Sequence, residues 1–363
     1  MKEVKTVGVV GFGVMGAAIG LNAAMSGYRV VFKELNDDLV KSMYDKFVAK
    51  AMAKRVQSGK MSQEEADKIC GTITGTSNFA DLAVCDLIIE AVVENIDLKI
   101  QVFEEISKVV PKDTIIVSNT STFPIATLMQ KVDNPARTAG LHYFFPANVN
   151  RLVEVIRQKA TSDETYEALM AFAKGNKKVA ITVMDFPGFA VNPVFIAAYM
   201  VLDNFAGDKY NIATLESISQ EFLGLKFGIM WVQKGAGLGT CYHAAVSMVE
   251  YLGNTDIGYP PVPAFLKKSF EEKLDWNLEE GPVLEDKAAR SEVGELLLGS
   301  VFCISKHLIA KKVVSVEDLD LGIRTSLAWP KGPFQMMNEM GEEKARKLMQ
   351  LAVDKGFFKM PPM

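Results

Sequence analysis

The sequence predicts an α/β first half followed by an all-helical second half, and three observations carry that prediction. Residues 5–34 read in order as strand, glycine turn, helix and strand, ending on an acid. Short apolar runs alternate with helical stretches as far as Thr182. Beyond the turn Asp185-Phe186-Pro187-Gly188 that alternation stops, and the apolar spacing becomes almost wholly helical.

In the first stretch, KTVGVVGFGVMGAAIGLNAAMSGYRVVFKE, Val7 to Val10 are continuous enough in apolar character to be a buried parallel strand. Gly11, Gly13 and Gly16 form a GxGxxG turn ahead of a small-residue helix through Ala23 and Ala24. Gly11 allows the tight turn, Gly13 leaves the helix N-terminus open to a pyrophosphate, and Gly16 lets helix and strand pack closely. Gly27 stops the helix, and Arg29 to Phe32 give a second strand that leads to Glu34. A carboxylate there accepts hydrogen bonds from an adenosine ribose and repels a 2′-phosphate. The unit therefore reads as a Rossmann-type dinucleotide site with NAD as the expected cofactor.

The next element, residues 36–58, reads as a long helix capped by Asn36 and closed by Gly59. Residues 41–60 carry six Lys or Arg and one acid, Asp45, with Lys46, Lys50 and Lys54 at four-residue spacing on one face. That face is either simply solvated or a dock for the phosphates of a large anion. Strands follow at 72–75 and 85–89, the second running into EAVVEN at 90–95. Glu94 and Lys99 lie just past that strand end and are candidates for the nicotinamide side, or else an exposed helix-start pair. Asp113 to Val117 forms another strand and ends in SNTST, which is either helix capping or substrate contact, before a helix from Pro124.

Arg137 to Leu141 leads to His142, and the strand Leu152 to Ile156 carries Glu154 between valines. An acid in so apolar a run needs a partner. Of the three histidines, His243 and His307 sit in helical, mostly apolar surroundings, so His142 is the partner expected. A carboxylate on one imidazole nitrogen fixes the tautomer and makes the other nitrogen a better base for an alcohol proton. Ala160 to Thr182 supplies one more helix and strand.

In the helical half, 192–253 and 296–357 are faintly self-similar. Each begins with an apolar helix, passes a polar turn and an acidic helix start (TLESIS, SVEDLD), and reaches a glycine-rich bend. The bend is GPFQMMNEMG at 332–341 and a degenerate FGIMWVQKGAGLG at 227–239. Between the two copies, 259–277 reads as a proline-marked connector and an amphipathic helix. The expected domains are 1–187 and 188–363, the latter as two related units of about 188–290 and 291–363.

Composition bounds the function. With 49% hydrophobic and 23% charged residues, the 363-residue chain has the balance of an ordinary globular protein of two or three domains. A net charge of −4 argues against nucleic acid as main partner. Cys70, Cys85, Cys241 and Cys303 fit neither a zinc pattern nor a disulfide scaffold, so buried thiols in a reducing cytoplasm and no metal are expected. The first strand begins so early that no signal peptide is expected, and no eighteen-residue apolar span is read, which leaves no membrane role.

The ordered set GFGVMG, EAVVEN, SNTS, LHYFFP, LVEVI and DFPGFAVN resembles the NAD-dependent 3-hydroxyacyl-CoA dehydrogenase family of β-oxidation and butyrate metabolism. The likeness spans residues 5–192 and keeps the family spacing of Ser121, His142, Glu154 and Asn192 at 21, 12 and 38 residues. The resemblance implies His142 as catalytic acid/base, Glu154 as its orienting carboxylate, Ser121 on the substrate oxygen and Asn192 near the thioester carbonyl. It further implies Gly11, Gly13, Gly16 and Glu34 on the adenosine half of NAD, Glu94 and Lys99 on the nicotinamide side, and Ser42, Lys50 and Lys54 on coenzyme A. It implies an oxidoreductase of fatty acid metabolism, a monomer or homodimer, in the form with a duplicated helical domain. Two departures bear on acyl specificity. Phe145 stands where the family's HFFNP has asparagine, and Pro193 follows Asn192 where the family has arginine. A same-fold dehydrogenase of a free or cyclic hydroxy acid, or a non-catalytic NAD-binding relative, remains as the alternative.

Overall fold

Eight of the short apolar runs become strands: β1 (Thr6–Val10), β2 (Arg29–Lys33), β3 (Ile73–Thr76), β4 (Leu87–Glu90), β5 (Ile115–Ser118), β6 (Thr138–Tyr143), β7 (Leu152–Arg157) and β8 (Val179–Met184). They form one sheet in the order β3-β2-β1-β4-β5-β6-β7-β8. Every neighbouring pair is parallel except β6 and β7, which are antiparallel. The computed structural model describes residues 3–207, 209–279 and 281–362. The chain divides into two units, Met1–Asp185 and Phe186–Met363.

In the first unit the central strands β1, β4, β5 and β6 are buried along their whole length, as a sheet covered on both faces requires. The helices are α1 (Val14–Met25), α2 (Asp37–Met43), α3 (Lys50–Gln57), α4 (Gln63–Cys70), α5 (Ile96–Val109), α6 (Ile125–Leu128) and α7 (Asp163–Gly175). The helix expected over 36–58 forms, with the Asn36 side chain accepting from the Leu39 amide and Gly59 at φ +70° behind it. It is not a regular α-helix, because Tyr44–Ala49 make a π-helical segment between α2 and α3. That widened turn changes which side chains share a face.

The second unit is helical throughout its described residues: α8 (Val191–Phe205), α9 (Ile212–Leu223), α10 (Ile229–Ala236), α11 (Leu238–Leu252), α12 (Ala264–Glu271), α13 (Lys287–Ala310), α14 (Val316–Ser326), α15 (Pro333–Met340) and α16 (Glu342–Asp354). Its core helix is α13, packed against α8, α9 and α16. Contrary to the sequence expectation of no long apolar span, α13 contains an 18-residue window of mean hydropathy 1.5. Of that window 78% is buried inside the fold, which explains its apolar character without a bilayer. Features recur 104 positions apart. Asn211 and Ser315 are N-caps, and Gly224 and Ala328 are left-handed. Glu216 and Asp320 each accept two backbone amides of the next helix start, and Gly237 and Gly341 join the last two helices of each copy.

Candidate active site

The glycine turn after β1 shows three different needs at three positions. Gly11 has φ +85°, and a Cβ there would meet the Ala91 carbonyl and the Val92 amide at 2.9 Å. A Cβ on Gly16 would sit 1.9 Å from the Gly11 carbonyl oxygen, so glycine is what lets α1 lie against the turn. A Cβ on Gly13 would meet nothing within 4 Å. Gly13 is the N-cap of the twelve-residue α1 and brings no side chain to its amides, so the helix start is left open. Glu34 follows β2, and its Oε1 accepts from the Phe12 amide at 2.6 Å. The acid is thus held against the glycine turn.

At the antiparallel β6–β7 pair, His142 and Glu154 stand directly opposite each other. Directly opposed residues share a face, which is why two residues twelve apart in sequence can pair inside the sheet. His142 Nδ1 and Glu154 Oε2 are 2.6 Å apart, with the side chains 3% and 0% exposed. A carboxylate can only accept, so Nδ1 is the donor of this hydrogen bond and Nε2 is the nitrogen left toward Ser121. Nε2 lies 3.1 Å from Ser121 Oγ, and the imidazole ring packs against Phe144 at 4.4 Å between centroids. The structure therefore brings Ser121, His142 and Glu154 into one hydrogen-bonded line.

Ser121 is carried by the turn after β5. Asn119 Oδ1 accepts from the Tyr143 amide at 2.9 Å and ties that turn to the end of β6. Glu94 Oε1 accepts from Thr120 Oγ1 at 2.5 Å, from the Ser121 amide at 3.1 Å and from Thr122 Oγ1 at 3.3 Å. Asp185, at the end of β8, accepts from the Ile125 and Ala126 amides at 2.7 and 2.8 Å and so fixes the start of α6. Burial raises the Asp185 carboxyl above its usual range, against the pull of those two amides.

Lys99 is where expectation and structure part. Its side chain is 1% exposed, and its ammonium donates to Glu90 Oε1 at 2.6 Å and to the Val92 carbonyl at 3.2 Å, with Glu94 Oε2 also at 3.2 Å. Lys99 is thus enclosed by Glu90, Glu94 and the Val92 carbonyl, whereas Glu94 keeps a side chain 40% exposed. Glu90 was not singled out from sequence. Glu90 carried the signal that exposed Glu154, an acid ending an apolar strand in LIIE.

Ser42 and Lys50 line a groove of about 530 Å³ together with Lys41, Lys46, Asp38 and Asp45. Lys54 is exposed, one turn further along α3 than Lys50, and is not among the residues that line the groove. Asn192 stands in the first turn of α8 in the second unit, half-buried, and Pro193 follows it without ending the helix. Phe145 is 57% exposed. The four cysteines are free thiols, and among the described residues no His, Cys, Asp and Glu cluster could hold a metal.

Residues 6–186 match the family described as 3-hydroxyacyl-CoA dehydrogenase, NAD binding domain. A fatty acid oxidation complex subunit alpha from Idiomarina loihiensis is 35% identical over 250 residues, which are 68% of this chain and 34% of that protein. The chain thus spans about a third of the length of that curated relative. The (S)-3-hydroxybutyryl-CoA dehydrogenase structure from Ralstonia eutropha shares 28% identity at a TM-score of 0.67, covering 75% of this chain and 95% of its own. A 3-hydroxybutyryl-CoA dehydrogenase structure from Escherichia coli superimposes at a TM-score of 0.86 over 98% of this chain and 95% of its own. At 19% identity that last likeness speaks to the fold, and it extends through the helical half.

Proposed function

The chain belongs to the 3-hydroxyacyl-CoA dehydrogenase family, and from that premise we propose that it interconverts (S)-3-hydroxyacyl-CoA and 3-ketoacyl-CoA thioesters with NAD. The observation that carries this reading is the Ser121, His142 and Glu154 line, because a non-catalytic NAD binder has no use for an oriented base. When bound at the glycine turn, NAD supplies the hydride acceptor or donor.

In the oxidative direction His142 Nε2 takes the proton of the substrate hydroxyl, and Glu154 holds the ring as charge develops on it. Ser121 Oγ, 3.1 Å from Nε2, gives that substrate oxygen a second hydrogen-bonding partner and so fixes its approach. In the reductive direction the same Nε2 returns the proton to the forming alkoxide. The groove between Ser42 and Lys50 supplies the cations for the phosphates of coenzyme A. Exposed Phe145, standing in place of asparagine, presents apolar bulk and favours a larger or less polar acyl group. The relatives' role in fatty acid oxidation points to a cytoplasmic enzyme of acyl-thioester metabolism.

The test is NADH oxidation with acetoacetyl-CoA and a panel of longer, branched and cyclic 3-ketoacyl-CoAs, with free 3-keto acids as the control. Turnover confined to thioesters is the expected result. Turnover of free acids, or NADH binding with no turnover of any member, overturns the reading.

A further inference from the structure

Five side chains beneath the active-site turn form a continuous polar chain that the reaction itself does not use. Glu90 is fully buried and satisfies both of its oxygens. Oε1 accepts from Lys99 Nζ at 2.6 Å and from the Val92 amide at 2.7 Å, and Oε2 accepts from Ser118 Oγ at 2.6 Å. Lys99 in turn holds Glu94 Oε2 at 3.2 Å. The other oxygen of Glu94 gathers the Thr120 hydroxyl and the Ser121 amide. Ser121 then meets His142.

Placing an ammonium and a carboxylate where water is excluded is costly, and the cost is offset only by good geometry and further hydrogen bonds. A pair kept under those terms fixes geometry more than it adds stability. Here the pair joins the end of β4 to α5, and the Ser118 hydroxyl ties Glu90 to the end of β5, where the two residues are paired in register. Burial raises the Glu90 carboxyl, while Lys99, Ser118 and the Val92 amide pull the other way. Glu94 alone could not do this work, because its side chain is 40% exposed and would otherwise be free to swing into solvent.

We propose that the buried Glu90–Lys99 pair is a positioning element: it holds Glu94, and through Glu94 the Thr120–Ser121 turn, so that Ser121 Oγ is set against His142 Nε2. The proposal rests on the reading of Ser121 and His142 as the groups that handle the substrate oxygen. Neither Glu90 nor Lys99 touches substrate in it, and both act through Ser121.

The test compares the full-length enzyme with the paired variant Glu90→Gln/Lys99→Met, with Ser121→Ala, and with all three changes together. Changing both members avoids stranding one buried charge. Displacing a positioned group by about 1 Å costs up to about 100-fold in rate, so kcat for acetoacetyl-CoA should fall about 10- to 100-fold in the paired variant. KM for the thioester should stay close to wild type. In the Ser121→Ala background the paired change should cost nothing further, and amide hydrogen exchange over residues 119–123 should quicken. Additive losses, or unchanged exchange at 119–123, overturn the proposal. Should the paired variant fail to fold, Glu94→Gln cuts the same link at a partly exposed side chain and is read by exchange over residues 119–123 without cofactor, where unchanged exchange again overturns the proposal. If wild-type protein reduces no 3-ketoacyl thioester, the functional reading fails by itself, and the exchange measurement still decides the positioning role.

Discussion

Each half of the molecule buries a carboxylate, and the two are handled in opposite ways. Glu154, 0% exposed, faces an imidazole nitrogen at 2.6 Å across an antiparallel strand pair. Asp203, 1% exposed on α8, faces an amide instead: Gln233 Nε2 donates to its Oδ2 at 2.8 Å. Its Oδ1 and the Gln233 Oε1 are without hydrogen-bond partners among the described residues. An imidazole can take up charge and a glutamine cannot. Burial beside a group that can share a proton makes chemistry available, whereas burial beside a neutral amide drives the acid toward its protonated form. Burial pushes the Asp203 carboxyl up to about 8.

The sharpest way to break this comparison is to remove the proton carrier. His142→Gln should lower kcat about 1,000-fold, the middle of the range for a positioned general base, while NADH binding by fluorescence stays intact. Retained turnover would show that Nε2 is not the base. A smaller effect is expected from Glu154→Gln, whose amide oxygen still accepts from Nδ1 but no longer offers charge to the ring. A loss of about 100-fold in kcat with KM preserved would be the signature of an interaction made only in the transition state. Equal activity would reduce Glu154 to a tautomer lock. Smaller again is Glu34→Ala. Removing the acid that holds the Phe12 amide should weaken NADH about 10-fold and narrow its advantage over NADPH, both read by fluorescence titration. Unchanged selection between the two cofactors would place the discrimination elsewhere.

How much of this was legible depended on whether the signal lay within one element or between several. The glycine turn was readable because the demands on Gly11, Gly13 and Gly16 come from a single strand, turn and helix. The His142 and Glu154 pair was readable because an acid inside an apolar strand announces a missing partner, and histidines are few. Glu90 gave the same warning at the end of β4, but its partner Lys99 sits on a helix whose exposed-looking sequence hid a fully buried ammonium. Spacing alone therefore gave no sign that Lys99 is buried. The π-helical turn at Tyr44–Ala49 left no mark in the periodicity, so 36–58 read as one regular helix. In the helical half, the meeting of Asp203 and Gln233 across thirty residues and two helices could not be seen in sequence.

That last pair offers the finest test of the comparison. A protonated Asp203 has a hydrogen to give, so protonation turns its unpartnered Oδ1 from an orphaned acceptor into a donor. The groups that interact with it are Cys241, pushed up to about 12, and Tyr199, raised well above its usual value. Tyr259, close to Tyr199, is raised in the same way, so none of these gains charge below pH 8. The folded-state value of Asp203 lies above that of the unfolded chain, so the folded form binds more protons between about pH 4 and pH 8. Its contribution to stability is complete below that window and lost as pH rises through it, by at most about 1.4 kcal/mol per pH unit. For a unit of this size that corresponds to a fall in Tm of roughly 3 °C per pH unit. Asp203→Asn cannot ionise, so its Tm should be flatter across the same window, with the largest gain over wild type at pH 8. Parallel Tm curves for the two proteins would show that Asp203 is charged in the folded state, and that a neutral amide is partner enough for a buried carboxylate.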